Sequence, residues 1–236
     1  MNARRGGGFG DLRPCDRVTG PTPFPVLHLA PVPPAIARVL CERGHYLHSF
    51  PAGTRVCLGV FTPTGLEGVV VLGVGPRFAH RLVTGAAPGD GLTLTRLWLA
   101  DALPHNSESF VIGQTVRWLR QHTPVKFLLS YADPAAGHVG IIYQATNWLY
   151  AGLSQAQPTL DLGDGIPRHT RTVGDALGTH SVRYLRAAGL AVHRMPAVGK
   201  HRYVLFVDRR WRGRLACPAA PYPKPPQQEV FPHAVD

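Results

Sequence analysis

The sequence predicts a mixed α/β fold, a sheet flanked by helices in a single domain, and three observations carry that prediction. Stretches of helical and strand periodicity alternate along the middle of the 236-residue chain. The most regular helical stretch, residues 106–122, stands between two apolar strand-like runs, an order that makes those strands parallel neighbours joined by a helical crossover. Apolar residues make up 44% of the chain and charged ones only 17%, enough for a sizeable core and incompatible with a wholly disordered chain.

Residues 1–34 contain GGG, PTPFP and PVPP. Proline removes backbone donors and glycine costs backbone entropy, so an irregular N-terminal arm is expected there. Residues 35–43 place Ile36, Val39 and Leu40 on one helical face, and Gly44 stops the helix. Two β-rich runs, 55–62 and 68–74, flank Pro63-Thr64-Gly65 and predict a hairpin. Residues 92–100 (LTLTRLWLA) follow as a strand whose alternation sets Leu92, Leu94, Arg96 and Trp98 against Thr93, Thr95, Leu97 and Leu99. After the helix at 106–122, residues 126–131 predict a short buried strand, 139–148 a helix and 149–153 a strand. Residues 167–173 read as a strand, 173–188 as a helix closed by Gly189, and 190–195 and 202–208 as two strands. The domain therefore spans 35–217, and prolines 218, 221, 223, 225, 226 and 232 mark an irregular tail over 218–236.

The chain carries 25 Lys+Arg against 14 Asp+Glu, a net charge of +11. Residues 155–217 hold eleven Lys/Arg and four Asp, so most of the excess lies there. Such a basic half suits a polyanion, nucleic acid first; a general arginine-rich composition accounts for the charge equally well. Cys15, Cys41, Cys57 and Cys217 form no CxxC pair, which argues against a zinc knuckle or a disulfide framework and for reduced thiols. The opening MNARRG has no apolar h-region, and the longest apolar run, 69–74, is far short of the ~20 residues that cross a bilayer. A soluble protein of the cytoplasm with no membrane partner is expected. The nucleotide-binding, zinc-protease and serine-hydrolase patterns GxxxxGK[ST], HExxH and GxSxG are absent, so those classes gain no support.

Three constellations carry chemistry. In RLWLADALPHNSES (96–109) a strand ends and a helix begins. Asn106 or Ser107 suits the N-cap and Glu108 the first turn, as ordinary capping or as a cradle for a ligand anion. Arg96, with apolar neighbours on either side, needs a partner, for which Asp101 and Glu108 are candidates. In SYADPAAGHVG (130–140), Asp133 stands at the carboxyl end of a strand, where open α/β sheets bind ligands, and Pro134 keeps it out of helix. An Asx-turn accounts for Asp133 and Pro134 but not for His138. In YQATNWLYAG (143–152), Tyr143 and Trp148 are either core or, with Asp133, the lining of one crevice. His45-Tyr46-x-His48 and the basic, aromatic stretches KHRY (200–203) and RRWRGR (209–214) are weaker signals. The latter two suit phosphate contact and base stacking, or a solvated exit into the tail.

The runs RLWLADALPHNSESFVIG, LLSYADPAAGHVGIIYQATNWLYAG and GKHRYVLF, with HY at 45–46, resemble the Mom family of phage and prophage DNA-modification proteins. The dense match covers residues 96–152. The resemblance implies a fold similar to GNAT acyltransferases and a transferase that carbamoylmethylates N6 of adenine in DNA, protecting phage DNA from host restriction. Where GNAT enzymes carry a Q/R-x-x-G-x-G/A loop, this chain has NSES, which argues against acetyl-CoA and leaves the donor's identity open. The resemblance further implies iron, with His45, Tyr46, Asp133 and Tyr143 as the matching metal positions, and catalytic or ligand-binding roles for Arg96 and Ser109.

The expected assignment on these grounds is Asp133, Arg96, Tyr143 and Ser109 for catalysis, and Asn106, Ser107, Glu108 and Ser109 for the donor. Lys200, His201, Arg202, Tyr203, Arg209 and Arg210 are expected to hold DNA. Partners are then double-stranded DNA and a small activated donor, with a homodimer as an allowed assembly. The competing functions are a GNAT-type acyltransferase for a small amine or protein, and a non-enzymatic nucleic-acid-binding module. Steep salt dependence of DNA affinity is expected of a DNA-engaging protein, whereas an acyltransferase for small amines is indifferent to added DNA.

Overall fold

The computed structural model describes residues 26–225; the remainder of the expected N-terminal arm and C-terminal tail lies outside the described residues. The chain begins with β1 (His28–Pro31), α1 (Pro34–Gly44), β2 (Thr54–Thr62), β3 (Gly65–Gly73) and β4 (Gly91–Leu99). It continues through α2 (Ser107–His122), β5 (Phe127–Ala132), α3 (Ile141–Ala145) and β6 (Leu149–Leu153). Then come β7 (Gln157–Asp161), β8 (Arg168–His169), α4 (Thr170–Leu177), α5 (Val182–Ala187), β9 (His193–Val198) and β10 (His201–Phe206).

The predicted mixed α/β sheet with flanking helices is what forms. Seven strands lie in the order β1-β2-β3-β4-β5-β10-β6, and β8-β7-β9 make a second, smaller sheet. β2 and β3 are the expected hairpin, turning through Pro63-Thr64 with Thr62 opposite Gly65. β4 and β5 run parallel, joined by α2 as expected. Alternation sorts the side chains into two layers. Leu58, Val60, Val70, Leu72 and Leu128 pack under Val111, Ile112, Val116 and Leu119 of α2. On the other face, Cys57, Val69 and Val71 pack under Ala37 and Cys41 of α1.

Five expectations need correction. Residues 28–31, expected in the irregular arm, form an edge strand on β2; an edge needs only one ladder, so it tolerates Pro31. The helix expected over 139–148 shrinks to Ile141–Ala145, bounded by left-handed Gly140 (φ 79°) and Asn147 (φ 60°). The strand expected over 167–173 is two residues long, because α4 starts at Thr170. The helix expected over 173–188 is cut at Gly178, whose φ of 72° cannot continue a right-handed helix, into α4 and α5. The strand expected at 190–195 moves to His193–Val198 and joins the smaller sheet. The Pro-rich tail is also partly built in. Ala220 N–H donates to Tyr150 O, and the Tyr222 hydroxyl donates to Trp148 O.

Candidate functional site

Only Gly91–Thr93 of β4 pair with Phe127–Leu129 of β5. Beyond those rungs the parallel strands part, and a cavity of about 330 Å³ opens between them. Its lining includes His45, Tyr46, Thr95, Arg96, Tyr131, His138 and Tyr143.

A β-bulge in β4 aims Arg96 at this opening. The pairing steps from Leu72↔Leu94 to Val71↔Arg96, leaving Thr95 as the extra residue, and its hydroxyl donates to Val71 O at 2.9 Å. The extra residue inverts the alternation. Leu97 and Leu99 rejoin Leu92 and Leu94 on the α2 face, while Trp98 packs on the α1 face. This corrects the expected grouping of Leu92, Leu94, Arg96 and Trp98. Arg96 also finds no carboxylate among the described residues. Its Nε and Nη2 donate to the backbone oxygen and Oγ of Ser49 (3.1 and 3.0 Å), and Nη1 donates to Thr95 O. Half-buried, the guanidinium has its pKa pulled down by desolvation yet stays a cation.

The end of α1 lies flat on Trp98. A Cβ on Gly44 would stand 2.2 Å from the indole, so only glycine lets His45 and Tyr46 approach β4 this closely. His45 is 7% exposed. Burial first, then the positive charge of Arg96, lowers its pKa to about 4, so the ring is neutral near pH 7. Its Nδ1 accepts from the Leu47 N–H at 3.1 Å, which leaves the proton on Nε2. Tyr46 stacks on His45 (centroids 4.5 Å) and tilts against His138 (5.2 Å), and it remains 57% exposed at the rim.

Tyr143 comes from α3, wedged by its ring against Trp148 and Tyr203. Burial raises its phenol pKa, tempered by the Ser130 hydroxyl. Burial raises the Tyr131 phenol as well. Both phenols therefore act as hydrogen-bond donors at neutral pH.

Asp133 does not join them. It follows Ala132, which pairs with His201 across the β5–β10 ladder, so its register partner is Lys200. Its Oδ2 meets Lys200 Nζ at 2.8 Å, and its Oδ1 accepts from Ala135 N–H. Asp133 is absent from the cavity lining, and the Asx-turn accounts for it. His138, beyond the short 3-10 turn at Pro134–Ala136, is the polar side chain of this segment that lines the cavity. The odd histidine in a glycine-flanked loop was the signal for it.

The expected donor residues stand apart too. Asn106 is left-handed (φ 71°) and makes no side-chain cap. The Ser107 hydroxyl donates back to Pro104 O rather than accepting from the helix. None of Asn106, Ser107, Glu108 and Ser109 lines the cavity.

Nor do the six expected DNA contacts form one surface. Tyr203 is fully buried, its hydroxyl donating to Val139 O and accepting from Gln144 Nε2. Arg202 donates to Ala151 O, and His201 Nδ1 bonds the Tyr150 hydroxyl at 2.8 Å. Lys200 precedes β10 and Arg209 and Arg210 follow it, so about 17 Å of strand separates them. Arg210 is moreover held by Asp208. His201, Arg202 and Tyr203 alternate in character because they sit in β10, where Tyr203 is core.

The donor set for iron does not fit. A His45 whose Nδ1 accepts the Leu47 N–H has that nitrogen's lone pair engaged and its proton on Nε2, so neither ring nitrogen is free to ligate a metal as placed. Asp133 is tied to Lys200, and no group of three or more His, Cys, Asp or Glu among the described residues is arranged for a metal.

The model of a family described as the Mom protein family matches residues 26–224. The chain is similar to methylcarbamoylase Mom of Escherichia phage Mu, 32% identical over 199 residues, which is 80% of each chain. Among solved structures it is similar to an acetyltransferase of the GNAT family from Streptococcus pneumoniae, at 8% identity over 77% of this chain and 99% of that one, with a TM-score of 0.42. It is also similar to the ribosomal-protein-S18-alanine N-acetyltransferase from Escherichia coli, at 8% identity over 78% and 95%, with a TM-score of 0.43.

Proposed function

The chain is an enzyme of the Mom protein family, and from that membership we propose that it transfers a carbamoylmethyl group to N6 of adenine in double-stranded DNA. The observation that carries this reading is the cavity between β4 and β5, with Arg96, His45, His138 and Tyr143 converging on it. Its volume lies in the range of small-molecule sites, ~300–1,000 Å³, which suits one extruded base with a small donor group and is too narrow for a duplex. The net charge of +11 favours a polyanionic substrate.

Adenine N6 is a weak nucleophile, because its lone pair is delocalised into the ring. The base leaves the stack at a cost of about a few kcal/mol, and the exposed ring of Tyr46 offers a surface on which to restack it. Neutral His45 and the phenol of Tyr143 supply hydrogen-bond donors for its ring nitrogens. Arg96 supplies the cation for the polar end of the donor. As the new N6–C bond forms, the donor's leaving group departs with the bonding pair, and the N6 proton goes to a base. His138 takes that role: Arg96 is a cation, Tyr131 and Tyr143 hold their protons, and the Nδ1 of His45 is already engaged by the Leu47 N–H.

A substituted N6 no longer offers the major-groove donor by which adenine is read, which supports protection of phage DNA from restriction in the host cytoplasm. Mass spectrometry of nucleosides from DNA of cells expressing the chain is expected to show a carbamoylmethylated deoxyadenosine. Unmodified deoxyadenosine alone, beside abundant folded protein, would rule the function out.

A further inference from the structure

Residues 157–198 form a module of their own. The chain leaves the main sheet after β6, builds β7, β8, α4, α5 and β9, and returns as β10. The module has its own core of Leu160, Val173, Leu185 and Val192. Its neck is pinned: Ser154 N–H donates to Lys200 O at 2.7 Å, and Lys200 N–H donates to Ser154 Oγ at 2.9 Å. A Cβ on Gly199 would lie 2.3 Å from Ser154 O, so the two legs run in close contact.

The register fixes where this neck stands. Leu153 pairs with His201, and His201 pairs with Ala132. Ala132 lines the cavity. The neck is therefore level with the cavity and two strand spacings from it, about 10 Å across the sheet.

Within the module, α4 and α5 are joined by four residues, 178–181, opening with left-handed Gly178. Two short helices linked by a glycine-bearing turn share a small core, and the face of the second that points away from that core is free to meet a partner, as an exposed helix face meets a DNA groove. On α5, Val182 and Leu185 face the core, which turns Arg183 and Tyr184 outward. Tyr184 is 67% exposed, and Arg183 is exposed and makes no ion pair among those found in the described residues. Arg186 folds back through Nε and Nη2 onto Val192 O and holds α5 to the strand that follows. The module's acids are partly neutralised. Arg168 pairs with Asp164, and Asp161 accepts three backbone N–H groups.

We propose that this module docks double-stranded DNA through the outer face of α5, with Arg183 and Tyr184 in contact, and so presents the duplex to the neighbouring cavity. The inference rests on the DNA-modifying reading and adds the surface that grips the substrate. An unpaired arginine beside an exposed aromatic matches phosphate and sugar-base edges.

Anisotropy of a short fluorescent DNA duplex, titrated with the full chain over a series of salt concentrations, tests it. The Arg183→Ala/Tyr184→Ala double variant is expected to bind about tenfold more weakly at moderate salt and to lower the salt slope by about 1. Arg183→Lys is expected to restore the slope. A wild-type affinity and slope in the double variant, with its far-UV circular dichroism intact, overturns the assignment. If the wild type still modifies DNA, only the docking surface is then lost. Failure of the wild type to bind or modify any duplex removes the DNA reading as well. A change in oligomeric state without a change in DNA affinity assigns the face to a second copy instead.

Discussion

Replacing Gly140 with alanine is expected to destabilise the fold by about 3 kcal/mol and to abolish activity. Gly140 has φ 79°, where a Cβ costs about 1–2 kcal/mol. That Cβ would also lie 2.5 Å from the ring of Tyr203 and 3.0 Å from the ring of Tyr143. Tyr203 cannot swing away, because it is fully buried and its hydroxyl is bonded to Val139 O and Gln144. Overpacking of this kind adds about 1–3 kcal/mol. The strain falls on residues 139–143, which form one wall of the cavity. For a chain of this size the melting point should fall by roughly 10 °C. A thermal melt of Gly140→Ala at the wild-type temperature would contradict this packing.

Acid is expected to destabilise the protein through His45. An unfolded histidine titrates near the ordinary value of about 6.5, whereas the buried ring resists protonation until about pH 4. Below pH 6.5 the unfolded chain therefore binds a proton that the folded chain does not. Stability is fully present above pH 6.5 and is lost as pH falls toward 4. A shift of this size corresponds to about 3 kcal/mol. Asparagine places an oxygen where Nδ1 accepts the Leu47 N–H, so His45→Asn keeps the local bond and removes the titration. Urea unfolding from pH 7 to pH 4 should show a steep loss in the wild type and a flatter profile in His45→Asn. Parallel profiles would contradict the burial of a neutral imidazole.

The hairpin, the long helix and the parallel pair around it were legible because each is set by local pattern: turn chemistry, 3.6-residue periodicity and a crossover of sufficient length. Arg96 and Tyr143, which line one cavity, were legible as candidates because a charge in an apolar strand and an aromatic beside a glycine-rich loop both demand an explanation. The face of Arg96 was not legible. It depends on the one-residue bulge at Thr95, and strict alternation contains no signal for a bulge. The placement of Asp133 was not legible, because a carboxylate at a strand's carboxyl end looks the same whether it faces a ligand or, as here, a lysine on the antiparallel neighbour. Only the strand order shows that β10 lies between β5 and β6. The tail was unreadable for a related reason. Proline excludes helix and central strand, yet it does not prevent packing, and Pro225 reaches the cavity.

Nucleoside mass spectrometry of DNA from cells expressing His138→Gln and Asp133→Asn in parallel tests the central claim most directly, namely that the chemistry takes place in the opening between β4 and β5. Both side chains are replaceable without disturbing the core, since His138 is exposed and asparagine preserves the Asx-turn to Ala135. The account predicts that His138→Gln loses modified adenine by about a hundredfold or more, the worth of a general base, and that Asp133→Asn retains it. Full modification by His138→Gln together with silence from Asp133→Asn would place the chemistry outside this opening and contradict the account.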